Sequence, residues 1–130
     1  MPGTVRLLMA ALAVLSCLAV GCGDQDSPLA VTERLVVAYA AGDGPGVREL
    51  ACQRYAEALA EECERITAEE GRMVFEVDYS LVSDDGSEAV VHLLGTATVY
   101  GPDGQAVEVE DMDRDVLLVR EQGAWKFCQR

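Results

Sequence analysis

The hydrophobic period of this chain changes from 3.6 to 2 residues at Gly71, and this change constrains the fold more than any other feature. Between Pro28 and Ile66, apolar residues recur at helical spacing. From Met73 to Leu81, apolar residues alternate with polar ones, which is the pattern of a strand with one buried face. Because the helices come first and the strands follow, the pattern is typical of an α+β domain.

Within the helical half, a glycine-rich turn separates two helical patterns. A Ser-Pro pair with N-cap and first-turn preferences predicts a first helix over about residues 28–41. The turn GDGPG, residues 42–46, ends this helix. The second pattern continues to Gly71, either as one long helix or as two helices that bend near Cys52.

Turns rich in Asp and Gly divide the remaining chain into four predicted antiparallel strands. The first turn, Asp-Asp-Gly-Ser at residues 84–87, is typical of a hairpin. Further turns at residues 101–104 and 122–123 end the second and third strands. Gly95, within the second strand, indicates a bulge or a bend. The expected fold is therefore N-terminal helices packed on a four-stranded antiparallel sheet.

The N-terminal segment has the features of an export signal. Residues 7–20 are uniformly apolar or small, and as a helix they span about 21 Å, less than the roughly 30 Å of a membrane core. The sequence LAVGC, residues 18–22, resembles the lipobox of bacterial lipoproteins. This resemblance implies a signal peptide over residues 1–21, a diacylglycerol on Cys22 and a polar tether over residues 22–27. The expected location is the outer face of the cell membrane, held by lipid.

The charge of the chain argues against nucleic acid as a partner. There are 23 acidic and 10 basic residues, with a formal net charge of −13 at pH 7. The predicted signal peptide removes one arginine, Arg6, and no acid, so the exported part is more acidic still. Such a surface is repelled by phosphate backbones and by anionic headgroups. We therefore expect contact with the membrane through the lipid anchor.

Two segments of the predicted domain resemble one known family. The sequence VVAYAAGDGPGVRELAC, residues 36–52, is similar to the helix–turn–helix–Cys opening of small actinobacterial NTF2-like lipoproteins. The sequence DVLLVREQGAWKFC, residues 115–128, is similar to their closing hairpin. The resemblance covers about residues 28–130 and implies one domain of cystatin-like fold. In this fold a curved antiparallel sheet forms a cone around the helices, often with a pocket at its wide end.

Besides Cys22, three cysteines follow the signal segment, enough for one disulfide with one thiol left over. In one straight helix Cys52 and Cys63 would lie some 16 Å apart, which is too far to bond. The residues alone leave the pairs Cys52–Cys128 and Cys63–Cys128 open. The family resemblance implies the pair Cys52–Cys128, and Cys63 is then a buried free thiol.

No residue pattern in the chain points to catalysis or to a metal. His92 is the only histidine, and its position predicts an ordinary strand residue. The acidic run EVEDMDRD, residues 108–115, copies the start of a calcium loop. The copy then fails at two positions. A calcium loop has a glycine at the position of Val116, to make the turn, and a bidentate Glu at the position of Gln122. We therefore interpret the run as a solvated sheet edge or bulge, and we expect no catalytic residue, metal or cofactor.

The function expected from the resemblance is binding rather than catalysis. The ligand would be a small apolar molecule in the cone, or the partner would be an envelope protein at the outer face of the sheet. The alternative is an isomerase- or dehydratase-like enzyme with an Asp–Tyr pair in the cone, for which Asp78 is the available acid. Asp78 falls on the polar face of its strand, which counts against this alternative. The predicted pocket lining is Tyr39, Tyr55, Leu59, Phe75 and Tyr79.

Overall fold

The computed structural model describes residues 27–128. The predicted signal peptide, Cys22 and the tether up to residue 26 lie outside the described residues. Of the described helices, none is long and apolar enough to cross a membrane. The elements are α1 (Pro28–Ala40), α2 (Gly44–Leu50), α3 (Gln53–Glu69), β1 (Arg72–Asp84), β2 (Glu88–Tyr100), β3 (Ala106–Glu121) and β4 (Ala124–Phe127).

Three helices pack against a curled four-stranded antiparallel sheet, which confirms the predicted α+β class. The strand order is β1-β2-β3-β4, so each strand pairs with its neighbour in sequence. This meander follows from the short turns between the strands, since a two- to five-residue connection brings the next strand back antiparallel. Gly71, with a φ of 114°, joins the last helix to the sheet where a side chain would meet the carbonyl of Tyr100.

The N-terminus of α1 is capped as its sequence predicts. The Ser27 hydroxyl accepts a hydrogen bond of 3.1 Å from the Ala30 N–H, and Pro28 occupies the first turn.

The second helical pattern forms two helices, α2 and α3, rather than one long helix. Cys52 is extended at the start of α3, and its N–H donates to the Phe127 carbonyl at 2.8 Å. The chain leaves the helical conformation there because it pairs with the last strand.

The cysteines are arranged as the family resemblance implies. Cys52 and Cys128 form a disulfide with their Cα atoms 5.3 Å apart. Cys63 is free and buried, with its Sγ 3.2 Å from the Ala60 carbonyl oxygen. Burial raises the pKa of the Cys63 thiol, which therefore stays protonated at neutral pH. The disulfide joins the start of α3 to the end of β4 and so ties the helical layer to the sheet.

Gly95 is needed for close approach of two strands, and of the two predicted alternatives, a bulge or a bend, the bulge is wrong. The pairing of β1 with β2 continues through Gly95 without a shift. At a φ of 155°, an added side chain would collide with the backbone of Glu76 in β1. The register shifts lie elsewhere, between Leu81 and Ser83 and at Val99–Tyr100. Glycine is therefore required here by space, as is common in curved sheets.

Strand β3 has a free edge over most of its length. Strand β4 pairs only with residues 118–121, so within residues 27–128 the earlier part of that edge has no strand partner. The acidic run lies on this part, and all of its residues except Met112 are exposed. The predicted solvated edge is confirmed, and its charges oppose pairing with a second edge strand.

The core lies between the helices and the buried face of the sheet. Its side chains come from the buried faces of β2, β3 and β4 and from the inner stripes of the helices. Arg48 of α2 lies 3.0 Å from Glu57 and 3.4 Å from Glu64, so an ion-pair cluster joins α2 to α3 at the surface. The most deeply buried large side chains include Leu118, Val47, Val91 and Thr32.

Candidate functional site

A cavity of about 510 Å³ lies between the helices and the sheet. Helices α1 and α3 form one wall, and strands β1, β2 and β3 form the other. Phe127 of β4 also contributes, so residues from six elements meet around one space. The lining residues are Leu35, Val36, Tyr39, Leu59, Glu62, Arg65, Ile66, Glu70, Met73, Phe75, Leu93, Ala97, Thr98, Val99, Glu108, Glu110, Met112, Arg114, Val116 and Phe127.

The deep end of this cavity is apolar and continuous with the core. Leu93, Val116 and Phe127 line it and are each less than a tenth exposed. Leu35 of α1 closes the same end from the helical side. An apolar group placed there gains the free energy of leaving water, about 25 cal/mol per Å² of buried surface.

Tyr39 and Phe75 form an aromatic pair across the cavity wall. Their ring centroids are 6.1 Å apart and the planes are inclined by 79°, an edge-to-face contact. The Glu62 carboxylate lies near the Tyr39 hydroxyl. Burial and the charge of Glu62 raise the pKa of Tyr39, so its phenol stays protonated and acts as a donor.

The structure brings three of the five predicted lining residues together. Tyr39, Leu59 and Phe75 line the cavity, whereas Tyr55 and Tyr79 are not among its lining residues. Tyr79 shares a face of β1 with Phe75 but lies four residues further along. There it is partly buried against the core, and burial with the nearby charge of Glu33 raises its pKa.

Tyr55, also predicted to line the pocket, is on the same apolar stripe of α3 as Leu59. It lies in the first turn of α3, close to the junction with β4, and does not line the cavity. The Arg54 guanidinium carbon lies 5.5 Å from the centre of its ring, a cation–π contact at the surface. The stripe alone could not reveal this, because it says which face is buried but not how far the cavity reaches along it.

The pair of Asp78 with a tyrosine does not form in the cavity. Asp78 is exposed, and it pairs with Leu94 of β2 on the face of the sheet opposite to Phe75. The acids that line the cavity are glutamates instead, and sequence reasoning missed them. Glu62 and Glu70 lie on the helical side, and two more lie on β3.

The alternation of the acidic run explains why part of it faces the cavity. In a strand, successive side chains point to opposite faces. Glu108, Glu110 and Arg114 line the cavity. Asp111 and Asp113 belong to the outer face, in register with β2 residues Thr96 and Leu94. The sequence could have predicted this division, because the two-residue period of a strand assigns alternate residues of EVEDMDRD to opposite faces.

The outer face of the sheet holds a second charged group of residues. His92 Nδ1 lies 2.7 Å from an Asp115 oxygen, and His92 Nε2 lies 2.9 Å from an Asp113 oxygen. The hydrogen bond to Asp115 and the charges of both carboxylates raise the pKa of His92. Among residues 27–128, no three His, Cys, Asp or Glu side chains are placed to hold a metal ion.

Together, the curled sheet, the three helices and the cavity between them define an α+β fold with an internal site. More specifically, the protein has an NTF2-like fold, as the comparison with solved structures shows. A candidate dehydratase of the NTF2-like family from Streptomyces avermitilis is 13% identical, with a TM-score of 0.61. That match covers 82% of this chain and 98% of the other.

Two further solved structures support the same fold. A candidate aromatic ring hydroxylase from Novosphingobium aromaticivorans is 15% identical over 75% of this chain and 81% of its own, with a TM-score of 0.60. A SEC-C motif protein from Rhodopseudomonas palustris is 16% identical over 80% and 77%, with a TM-score of 0.57. No family model matches the chain, and no curated protein matches it. At these identities the similarity establishes the fold and leaves activity open.

Proposed function

We propose that the protein is a membrane-anchored extracytoplasmic lipoprotein whose cone binds a small apolar molecule without transforming it. The observation that carries this proposal is the cavity of about 510 Å³ with an apolar deep end. Small-molecule sites are usually clefts of about 300–1,000 Å³ lined by apolar side chains with a few polar groups. The cavity has this size, and thirteen of its twenty lining residues are apolar or aromatic, whereas six are charged.

The arrangement of polar groups supports binding rather than catalysis. The lining carboxylates of Glu62, Glu70, Glu108 and Glu110 are all on exposed residues. A general base is usually buried or paired so that its pKa approaches the working pH. In the aromatic wall, the carboxylate of Glu62 near the Tyr39 hydroxyl competes for the proton that a substrate oxygen would need.

The alternative, an isomerase or dehydratase, rests on that same contact. Tyr39 and Glu62 are a donor and a carboxylate side by side in the cavity, whereas the Asp78 that the sequence offered lies elsewhere. The solved structures described as a dehydratase and a hydroxylase share the fold with this chain at identities near 15%. An envelope protein bound at the outer face is the other partner that we considered. We favour the small molecule because the cavity supplies a bounded site for it.

The lipid anchor is the second part of the proposal. The lipobox ends at Cys22, and the folded domain begins at Ser27, the N-cap of α1. Five residues therefore separate the proposed lipid from the first helix, which places the domain close to the membrane surface. Two or three acyl chains hold a protein stably on a bilayer, at about 0.8 kcal/mol for each buried CH₂.

We predict that the protein isolated from its host begins at residue 22 and carries a diacylglycerol on that cysteine. Intact-mass measurement checks this directly. A Cys22→Ser variant should lack the lipid mass, while Cys63→Ser, a change at a thiol inside the domain, should retain it. A wild-type chain without lipid would contradict the anchor.

We predict that the same preparation contains a small molecule bound at one copy per chain. Native mass spectrometry of the full protein should show the added mass, and extraction with organic solvent should release it. An apolar molecule recovered unchanged from repeated preparations supports binding. A chain that carries no added mass, in preparations from several growth conditions, would contradict the proposed function.

A further inference from the structure

We infer that the cavity selects an organic cation, in which an amine or quaternary ammonium head is joined to an apolar body. This inference rests on the proposed binding function and adds the chemical class of the ligand. The apolar body would occupy the deep end beside Leu93 and Phe127. The head would lie at the rim, which we define as the charged, solvent-exposed lining residues of α3, its C-cap and β3.

Acidic side chains predominate on both walls of this rim. Glu62 and Glu70 come from the helical wall, and Glu108 and Glu110 from the strand wall. Two cations, Arg65 and Arg114, also line the cavity.

The two arginines do not balance the four acids of the rim. The Arg65 guanidinium lies 3.5 Å from a Glu69 oxygen, so its charge is already opposed by an acid that is not in the lining. Arg114 then offsets one of the four glutamates. The rim as a whole is negative and complements a cation.

The end of α3 adds to the negative potential from an independent source. The carbonyl end of a helix carries a partial negative charge, which basic residues in the last turn usually offset. The last turn of α3 contains no basic residue. Glu69 ends the helix and Glu70 caps it, so two acids lie where the helix dipole is least favourable to them. A cation bound beside Glu70 would relieve both unfavourable interactions.

The deep end of the cavity supplies the other half of the recognition. A bare inorganic cation gains nothing from the apolar wall, whereas an organic cation buries its body there. The Tyr39 and Phe75 rings also line the cavity, and aromatic faces attract ammonium groups. The net charge of the chain, −13, also attracts cations and repels anions over longer distances.

The test uses three probes that share one apolar body and differ in the head: phenylbutylamine, phenylbutanol and phenylbutyrate. The full-length protein is reconstituted in nanodiscs of zwitterionic lipid, with empty nanodiscs as the reference, and the Kd of each probe is measured by calorimetry at low salt. We expect the amine to bind about tenfold more tightly than the alcohol, and the acid to bind most weakly. Raising the salt should reduce the difference between the amine and the alcohol.

A pair of double variants separates the rim from the general charge of the chain. Glu108→Gln with Glu110→Gln should bring the Kd of the amine close to that of the alcohol measured for the same variant. The matched control is Glu76→Gln with Asp111→Asn, which removes the same charge from the outer face of the sheet. This control should keep most of the preference for the amine.

The outcomes distinguish this inference from the function on which it rests. If the three probes bind equally, or the acid binds best, the cavity binds small molecules but the cation class is wrong. If both double variants lose the preference equally, the charge of the whole chain explains it and the rim is not the selective element. If none of the probes binds, the proposed function fails, and the inference fails with it.

Discussion

At the scale of single residues, His92 is the clearest case of a side chain whose environment differs from its sequence expectation. The sequence predicts an ordinary strand residue, and the register places that residue opposite Asp115 and beside Asp113. Both ring nitrogens lie within hydrogen-bond distance of a carboxylate oxygen, an arrangement that favours the protonated imidazole. Sequence spacing could not show this, because the partners lie more than 20 residues away along the chain.

The raised pKa of His92 predicts a dependence of stability on pH. In the unfolded chain the pKa of His92 returns to about 6.5. The stability that the charged imidazole contributes to the folded state is therefore fully present below pH 6.5. The contribution falls as the pH rises through the raised pKa of the folded state, because the folded imidazole then also loses its proton. The free energy of unfolding, measured by urea titration between about pH 5 and about pH 9, should fall over this window.

The matched comparison for His92 is a residue that keeps the hydrogen bonds but cannot be charged. His92→Gln should remove this part of the pH dependence while leaving the rest of the profile in place. Since the site is at the surface, the effect is modest and should shrink at high salt. Identical pH profiles for the variant and the wild type would show that the two carboxylates do not stabilise the charged ring.

At the scale of elements, the junction between α2 and α3 shows what a periodic pattern can and cannot predict. The pattern located the helical stretch and its break near Cys52, because both depend on local spacing. It could not decide between one bent helix and two helices. That choice depends on a non-local contact, the pairing of residue Ala51 with Phe127 of β4.

The disulfide between these elements is predicted to supply much of the stability of the domain. Cys52 and Cys128 are 76 residues apart in sequence, and the loss of chain entropy in the unfolded state corresponds to about 4.5 kcal/mol. A double Cys52→Ala, Cys128→Ala variant should therefore have a free energy of unfolding several kcal/mol lower, measured by urea titration. For a small domain this is a large share of a total of about 5–10 kcal/mol.

The control for the disulfide is the third thiol. Cys63→Ala removes a buried sulfur without opening the loop, so it should lower stability by the smaller amount typical of a small cavity, about 1 kcal/mol. Peptide mapping without reductant should find the Cys52–Cys128 link in that variant. A link from Cys63 to Cys128, or three reactive thiols in the native wild type, would contradict the assignment.

At the scale of the whole molecule, the fold was predictable and the site only partly so. The change of period at Gly71 and the short turns were enough to predict helices on a four-stranded meander. The family resemblance supplied the cone and the Cys52–Cys128 link. The glutamates of the rim were missed because their position depends on the register of β3. A shift of this register by one residue would turn Glu108 from the cavity to the outer face.

The central claim is that the cavity itself binds a small apolar molecule, and a filled cavity tests it most directly. Ala97 lines the cavity, and a phenylalanine there would occupy space that a ligand needs. Its neighbour Thr96 pairs with Glu76 and Asp111 on the outer face, so Thr96→Phe adds the same side chain away from the cavity.

The measurement is the Kd of phenylbutanol for the full-length wild type and these two variants, with circular dichroism to show that all three are folded. We predict that Ala97→Phe weakens binding at least about tenfold, whereas Thr96→Phe binds as the wild type does. Binding that is unchanged in a folded Ala97→Phe variant, or lost equally in both variants, would contradict the account.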